Sequence, residues 1–182
     1  MNGIHRIVGP TILLRSGNYF DFEDPENSVI TIDDIATGLS HLCRFTGQCH
    51  SFYSVAEHSV LVSRMVPPQD AFAALMHDAA EAVMGDISSP LKSLLPDYKR
   101  LERRVEAAIL ARFGLPATLP ASVKTADLQI LAVELRQAML NDDPWPSLTW
   151  PDPAPELAFL PPAQAHNAFM IRYHQLRQGR AQ

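Results

Sequence analysis

Cysteine is scarce in this sequence: Cys43 and Cys49 are the only two among 182 residues. Two thiols in a chain of this length do not make a disulfide framework. With five residues between them and no second pair, they do not make a structural zinc site either. A reduced, cytoplasmic protein is the expectation. Positive charge is in deficit, with 15 Lys and Arg against 20 Asp and Glu and a formal net charge of -5. No overall positive field would draw in a nucleic-acid backbone, so no nucleic-acid partner is expected. A local basic pocket for one small anion remains compatible with that balance. No apolar run approaches the roughly 20 residues needed to span a bilayer. The opening MNGIHRIVGP lacks the charged, apolar and small-residue blocks of a signal peptide. No membrane contact is expected, and no internal repeat is visible.

What is present is a core. Hydrophobic residues make up 47 % of the chain, enough for one domain over 1–182. Residues 11–23 read as a β-hairpin around Ser16-Gly17-Asn18. Thr31 with Asp34 three residues on resembles a capping box, and Ile35, Leu39 and Leu42 follow at helical spacing, up to the break around Gly47. Further helices are expected at about 53–66, stopped by Pro67-Pro68, at 69–84, ending at Gly85, at 97–114, at 120–140 and at about 163–177. Residues 88–96 read as a short connector. The segment 142–162 carries seven of the 15 prolines and both tryptophans, so neither helix nor central strand fits it. Trp145, Trp150, Leu157 and Phe159 there predict a loop packed onto the body. The fold class is mainly α with a small N-terminal hairpin.

Four segments set imidazoles, carboxylates or a lone cation among apolar residues: SVAEHS with His58, ALMHDAAEAVMGD with His77, Asp78, Glu81 and Asp86, SSPLK with Lys92, and VKTADLQ with Asp127. His77-Asp78 follows Ala71-Phe72-Ala73-Ala74-Leu75-Met76, a run expected to be buried. An ionised Asp is costly there unless it is paired or binds a metal. Imidazole nitrogens and carboxylate oxygens suit a divalent ion such as Mn, Fe, Co, Zn or Mg. Glu81, four residues after His77, falls on the same face of a continuous helix, where a general acid or base would sit. Arg44 and Lys92 are candidates for holding a phosphate, Arg as a fork and Lys as a point charge.

Each residue also has a plainer reading. A lone histidine such as His58 is more often a hydrogen-bonded core or surface residue. Asp127 could pair at the surface with Lys124, and Asp86 could cap the helix that follows it. Phe45 could be core, and Lys92 merely solvated. His41, His50, His166 and His174 read as structural or surface residues, with His50 near the cleft mouth. The arginines of 97–114 mark a wet helix face.

The ordered set EHS, then HD followed by Glu and GD, then K-x-A-D, resembles the HD-domain phosphohydrolase superfamily. The likeness runs over about 30–135. It is nearest to the small bacterial and phage branch of 5′-deoxynucleotidases and phage dATP triphosphohydrolases. It implies an HD-domain helical bundle, metal ligation by His58, His77, Asp78 and Asp127, and a catalytic carboxylate at Glu81. It implies phosphate contacts from Arg44 and Lys92, packing of Phe45 on the base, and Asp86 sensing the sugar 3′-hydroxyl. Phe45 stands where some relatives carry tryptophan. The expected reaction is hydrolysis of a deoxynucleoside 5′-monophosphate. The alternatives are a deoxynucleoside triphosphate cut to release triphosphate, and a non-catalytic nucleotide-binding regulatory module. A small nucleotide is the expected partner, and self-association is expected from the Trp/Pro segment and the helix after Pro96.

Overall fold

A computed structural model describes residues 9–145 and 147–179. Residues 1–8, most of the stretch expected not to be a signal peptide, lie outside them. The hairpin forms as expected: strand β1 (Thr11–Leu13) pairs antiparallel with β2 (Tyr19–Asp21), with Ile12 opposite Phe20. Gly17 turns the chain at φ 87°, a left-handed value that glycine reaches without a Cβ penalty. The hairpin sends Phe20, fully buried, into the core.

Helix α1 (Ile32–His41) opens with the expected capping box. Asp34 accepts from the Thr31 backbone at 2.9 Å, the Thr31 hydroxyl at 2.7 Å and the Ser16 backbone at 2.8 Å. One carboxylate therefore starts the helix and ties down the hairpin turn. Helix α2 (Val55–Met65), capped by Ser54, is buried at every residue from Val55 to Ser63. Burial all round marks a central helix, and α2 is packed by α1, by α3 (Ala71–Leu75), by α7 (Ala121–Gln137) and by α8 (Pro162–Gly179). Phe169 of α8 is fully buried, and losing such a ring costs about 3–5 kcal/mol.

The expected single helix at 69–84 is not continuous. A 3-10 turn at Pro68–Asp70 leads into α3, and helix resumes only at α4 (Glu81–Met84). Between them, residues 76–80 form a turn, and the Ala79 N–H bonds the Met76 carbonyl across His77-Asp78. The helix is thus interrupted at the two residues singled out from the sequence. The connector at 88–96 also differs from expectation, because it contains a short helix, α5 (Ser89–Ser93). Helix α6 (Pro96–Arg112) buries only Val105, Ile109 and Leu110, one stripe of an otherwise wet surface.

The described residues of 142–161 are irregular, with α8 beginning at Pro162, but the packing of this segment differs from expectation. Trp145 and Trp150 are 52 % and 46 % exposed, whereas Leu157 is buried. The anchor is polar. Glu57 of α2 accepts from the backbones of Ala158 at 2.7 Å, Phe159 at 3.1 Å and Leu160 at 2.8 Å. Gln137 adds bonds to Pro155 and Leu157. A buried glutamate of α2 and a half-buried glutamine of α7, rather than the tryptophans, hold this strap. No described helix is long and apolar enough to cross a membrane.

Candidate metal centre

The central helix, the turn at 76–80 and α7 come together in one place. His58 reaches it from α2, His77 and Asp78 from the turn, and Asp127 from the first half of α7. His58 Nε2 lies 3.3 Å from His77 Nε2, 3.4 Å from Asp78 Oδ2 and 3.5 Å from Asp127 Oδ1. His77 Nε2 lies 3.2 Å from Asp78 Oδ2. Donors bound at about 2.1 Å to one ion stand about 3.0–3.4 Å apart, so these separations fit a single cation. His58, His77 and Asp127 each direct one donor atom into a group no wider than 4.8 Å; Asp78 approaches both imidazoles but stands outside that group.

The ring tautomers fit as well. His58 Nδ1 donates to Glu134 Oε1 at 2.6 Å, and His77 Nδ1 donates to the Ala74 carbonyl at 2.8 Å. Those acceptors hold the hydrogen on Nδ1 and leave both Nε2 lone pairs facing the convergence point, as outer partners of metal-binding histidines do. A two-His, two-carboxylate set suits several divalent ions.

Electrostatics support the same grouping. Burial alone would raise the Asp78 and Asp127 carboxyls, yet the neighbouring histidines hold both well below the usual carboxylate range. Burial and Arg44 work against a charged His58, but Glu134 and Asp127 win and push it up to about 9. The cluster demands positive charge.

Around this point the other expected residues are placed unevenly. Arg44 opens a 3-10 turn (Arg44–Gly47). Its Nη2 bonds Glu134 Oε2 at 2.8 Å and its Nη1 is 4.0 Å from Asp78 Oδ2. Its Nε is buried and finds no hydrogen-bond partner among the described residues. Phe45 is half-buried with the Arg44 guanidinium 5.5 Å from its ring centre. Phe45 and Thr46 both take left-handed backbone angles, φ 54° and 53°. Each costs of order 1–3 kcal/mol, and the ends of the segment are clasped by the Cys43–Ser54 bridge and the bond from Arg44 N to Tyr53 O.

Glu81 is buried, and its Oε2 has no hydrogen-bond partner among the described residues. Burial, then the carboxylates of Asp78 and Asp86, push its carboxyl well above the ordinary range. Lys92 is not merely solvated. Its Nζ is 2.6 Å from Glu102 Oε1 and 3.5 Å from Glu81 Oε1. Asp86 does not cap α5, whose N-cap is Ser88. Asp86 is raised by burial. The surface pairing of Lys124 with Asp127 also forms, at 2.8 Å, but through Oδ2, leaving Oδ1 turned to His58. His50 bonds the Gln137 carbonyl and packs against Phe159.

Two buried carboxylates were not singled out from the sequence: Glu134, behind His58 and Arg44, and Glu57, which holds the strap. A glutamate inside the apolar stripes LAVELR and SVAEHS is the signal that marks them. A cleft of about 440 Å³ opens beside the centre, lined by His77, Asp78 and Asp127 with Glu106, Thr118, Leu119 and Val123. A smaller groove of about 220 Å³, lined by Arg136, Trp145 and Trp150, includes none of the site residues.

Residues 41–142 match the family described as 5′-deoxynucleotidase YfbR-like. That span contains every residue of the centre and its surroundings named above except the strap. The chain is 47 % identical over 165 residues to the uncharacterized protein YfdR of Escherichia coli (strain K12), covering 88 % of this chain and 92 % of that protein. It is 36 % identical over 183 residues to an uncharacterized protein of Rhodobacter capsulatus, covering 90 % and 93 %. HD-type phosphohydrolases of this kind use divalent metals, and the His/Asp cluster is a fitting place for one. The chain belongs to the YfbR-like family of the HD-domain superfamily.

Proposed function

We propose that the chain is a metal-dependent 5′-deoxynucleotidase, converting a deoxynucleoside 5′-monophosphate and water into a deoxynucleoside and inorganic phosphate. The observation that carries this reading is the grouping of His58, His77 and Asp127 donors, with Asp78 Oδ2 against both imidazoles, beside a buried, proton-retaining Glu81. A divalent ion held by those residues would lower the pKa of water and polarise a phosphoryl oxygen. Arg44, with its Nη1 beside Asp78 and its Nε unspent, contributes charge-assisted hydrogen bonds to the phosphate. Glu81 keeps its proton to higher pH than an ordinary glutamate and gives it to the departing 5′ oxygen. Lys92, tied to Glu81 and Glu102, acts on Glu81 at least as directly as on phosphate. Asp86 is assigned to the sugar and Phe45 to the base. Self-association remains part of the proposal, supported by the exposure of Leu94 and Trp145.

The test is one assay. The protein, loaded in turn with Mn, Co, Mg or Zn, is incubated with dAMP, AMP and dATP, and the phosphorus product is identified. Orthophosphate from dAMP, with AMP cut more slowly, is the expected result. Triphosphate from dATP would make the chain a triphosphohydrolase instead. No turnover of any substrate with any metal would sink both hydrolytic readings and leave a nucleotide-binding module.

A further inference from the structure

Glu134 is fully buried on α7, between Ile130 and Val133 on one side and Ala138 on the other, all three fully buried. An ionised carboxylate persists in such surroundings only with close partners. It has two, one per oxygen: His58 Nδ1 at 2.6 Å on Oε1, and Arg44 Nη2 at 2.8 Å on Oε2. These partners come from different places and face different tasks. His58 turns its other nitrogen to Asp78 and Asp127. Arg44 arrives from a strained turn 90 residues away in sequence. Glu134 also sits seven residues, about two helical turns, after Asp127, so one face of α7 bears both a metal-directed carboxylate and the group behind a metal-directed histidine.

We infer that Glu134 is a positioning residue that couples the metal centre to the phosphate site, holding His58 with Nε2 outward and Arg44 at a fixed place with the same carboxylate. The inference rests on the metal-centre reading above. A carboxylate serving only as counterion to Arg44 would have no need to aim an oxygen at His58 Nδ1. A carboxylate serving only His58 would leave the guanidinium with Asp78 at 4.0 Å and no directly hydrogen-bonded carboxylate. Because both groups depend on one side chain, metal affinity and phosphate affinity are linked through it, and linkage of binding free energies runs in both directions. Loss of such an outer partner typically weakens metal binding by about 10–100-fold.

Removing Glu134 alone leaves Arg44 with only its longer 4.0 Å contact to Asp78, so the decisive variants are made where Arg44 is already Met. Mn²⁺ dissociation constants are measured by calorimetry for the wild type, R44M, R44M/E134L and R44M/E134Q, with folding checked by thermal melting. R44M retains the Glu134–His58 bond and is expected to bind Mn²⁺ much as the wild type does. R44M/E134L is expected to bind roughly 10–100-fold more weakly than R44M. R44M/E134Q is expected to recover most of that loss, because the glutamine carbonyl accepts the Nδ1 hydrogen. The phosphate half is read from inorganic phosphate binding to the Mn²⁺-loaded proteins. E134Q is expected to weaken it in the Arg44 background and to add little in the R44M background, a non-additivity that marks coupled groups. Equal Mn²⁺ affinity in R44M and R44M/E134L, or losses of phosphate affinity that simply add, would overturn the inference while leaving the metal centre intact. A wild-type chain that binds no divalent ion would overturn the metal-centre reading itself, and this inference with it.

Discussion

His58 Nε2 and His77 Nε2 face each other at 3.3 Å, nitrogen to nitrogen. Each ring spends its Nδ1 hydrogen on the protein, His58 on Glu134 and His77 on Ala74. Two lone pairs at that distance repel unless a proton or a cation serves both, and Asp78 and Asp127 add negative charge beside them. A proton can take that role in metal-free protein, which is why the balance of Glu134 and Asp127 against burial leaves His58 charged up to about 9.

A pH dependence follows for metal-free protein. The folded pKa of His58 is raised above its ordinary 6.5, so its contribution to stability is complete below pH 6.5 and is lost as pH rises through about 9. Asp78 and Asp127 act in the opposite direction. Their folded pKa values are depressed, so their contribution is present above the ordinary 3.8 and lost on strong acidification. Melting temperature of chelator-treated protein is expected to decline between pH 6.5 and about 9. The metal-loaded protein, whose ion replaces the proton, should hold its melting temperature over that window. Metal binding near neutrality should therefore release a proton and tighten with rising pH. Melting curves of the metal-free protein that do not change from pH 6.5 to 9 would contradict the arrangement.

Replacing one of the four converging donors tests the centre directly. Asp127→Asn keeps the shape of the side chain but removes its charge, leaving His58 Nε2 without that carboxylate at 3.5 Å. The loss in divalent-ion affinity should exceed the roughly 10–100-fold seen for outer-partner changes. Phosphatase activity should fall with it. The Lys124 contact of Asp127 is exposed on the lysine side and contributes little to stability, so the fold should persist. Metal content after dialysis, beside a circular dichroism spectrum, separates lost metal from lost structure.

Glu81 and Lys92 make a separable pair. Glu81→Gln should lower kcat by about 10²–10⁴-fold with divalent-ion affinity retained, since Glu81 is not among the converging donors. Lys92 draws the Glu81 pKa down against burial and the two aspartates. Lys92→Met should therefore let Glu81 keep its proton to higher pH and move the alkaline limb of the kcat profile upward. A rise in KM with an unmoved limb would place Lys92 on the phosphate instead.

The sequence made His58, His77, Asp78 and Asp127 conspicuous for a physical reason: each is a costly group inside an apolar run, and such groups need partners. Glu134 and Glu57 carry the same signal, but their partners lie 76 and 101 or more residues away, so no local pattern says what they do. The break at His77-Asp78 is hidden because AFAALMHDAAEAVM is rich in alanine and other good helix formers. Nothing in its propensities marks the switch from helix to turn at 76–80. That switch also sets aside the simple expectation that Glu81 stacks one α-helical turn beyond His77. The pairing of Lys92 with Glu102 depends on how α5 meets α6, and the exposure of Trp145 and Trp150 depends on where the strap is anchored. Composition contains neither fact.

Gly38 offers a test of how the fold holds the Glu81 carboxylate in place. It lies on the face of α1 that meets α4. A Cβ added there would stand 2.6 Å from the Ala82 carbonyl oxygen and 2.8 Å from the Ala82 Cα. Those are backbone atoms, so no flexible side chain can swing aside. Ala82 follows Glu81 directly, and α4 is only four residues long, so the displacement needed to admit a methyl group falls on Glu81. Gly38→Ala improves helix propensity by about 1 kcal/mol, but overpacking of this kind costs about 1–3 kcal/mol. The close approach to backbone makes the second effect the larger. The variant should be destabilised in urea unfolding. Its kcat should fall because Glu81 shifts, while the metal-directed donors on α2, α7 and the turn at 76–80 keep divalent-ion binding close to normal. A Gly38→Ala protein as stable and as active as the parent would show that α1 and α4 have room to separate, and that Glu81 is not held by this contact.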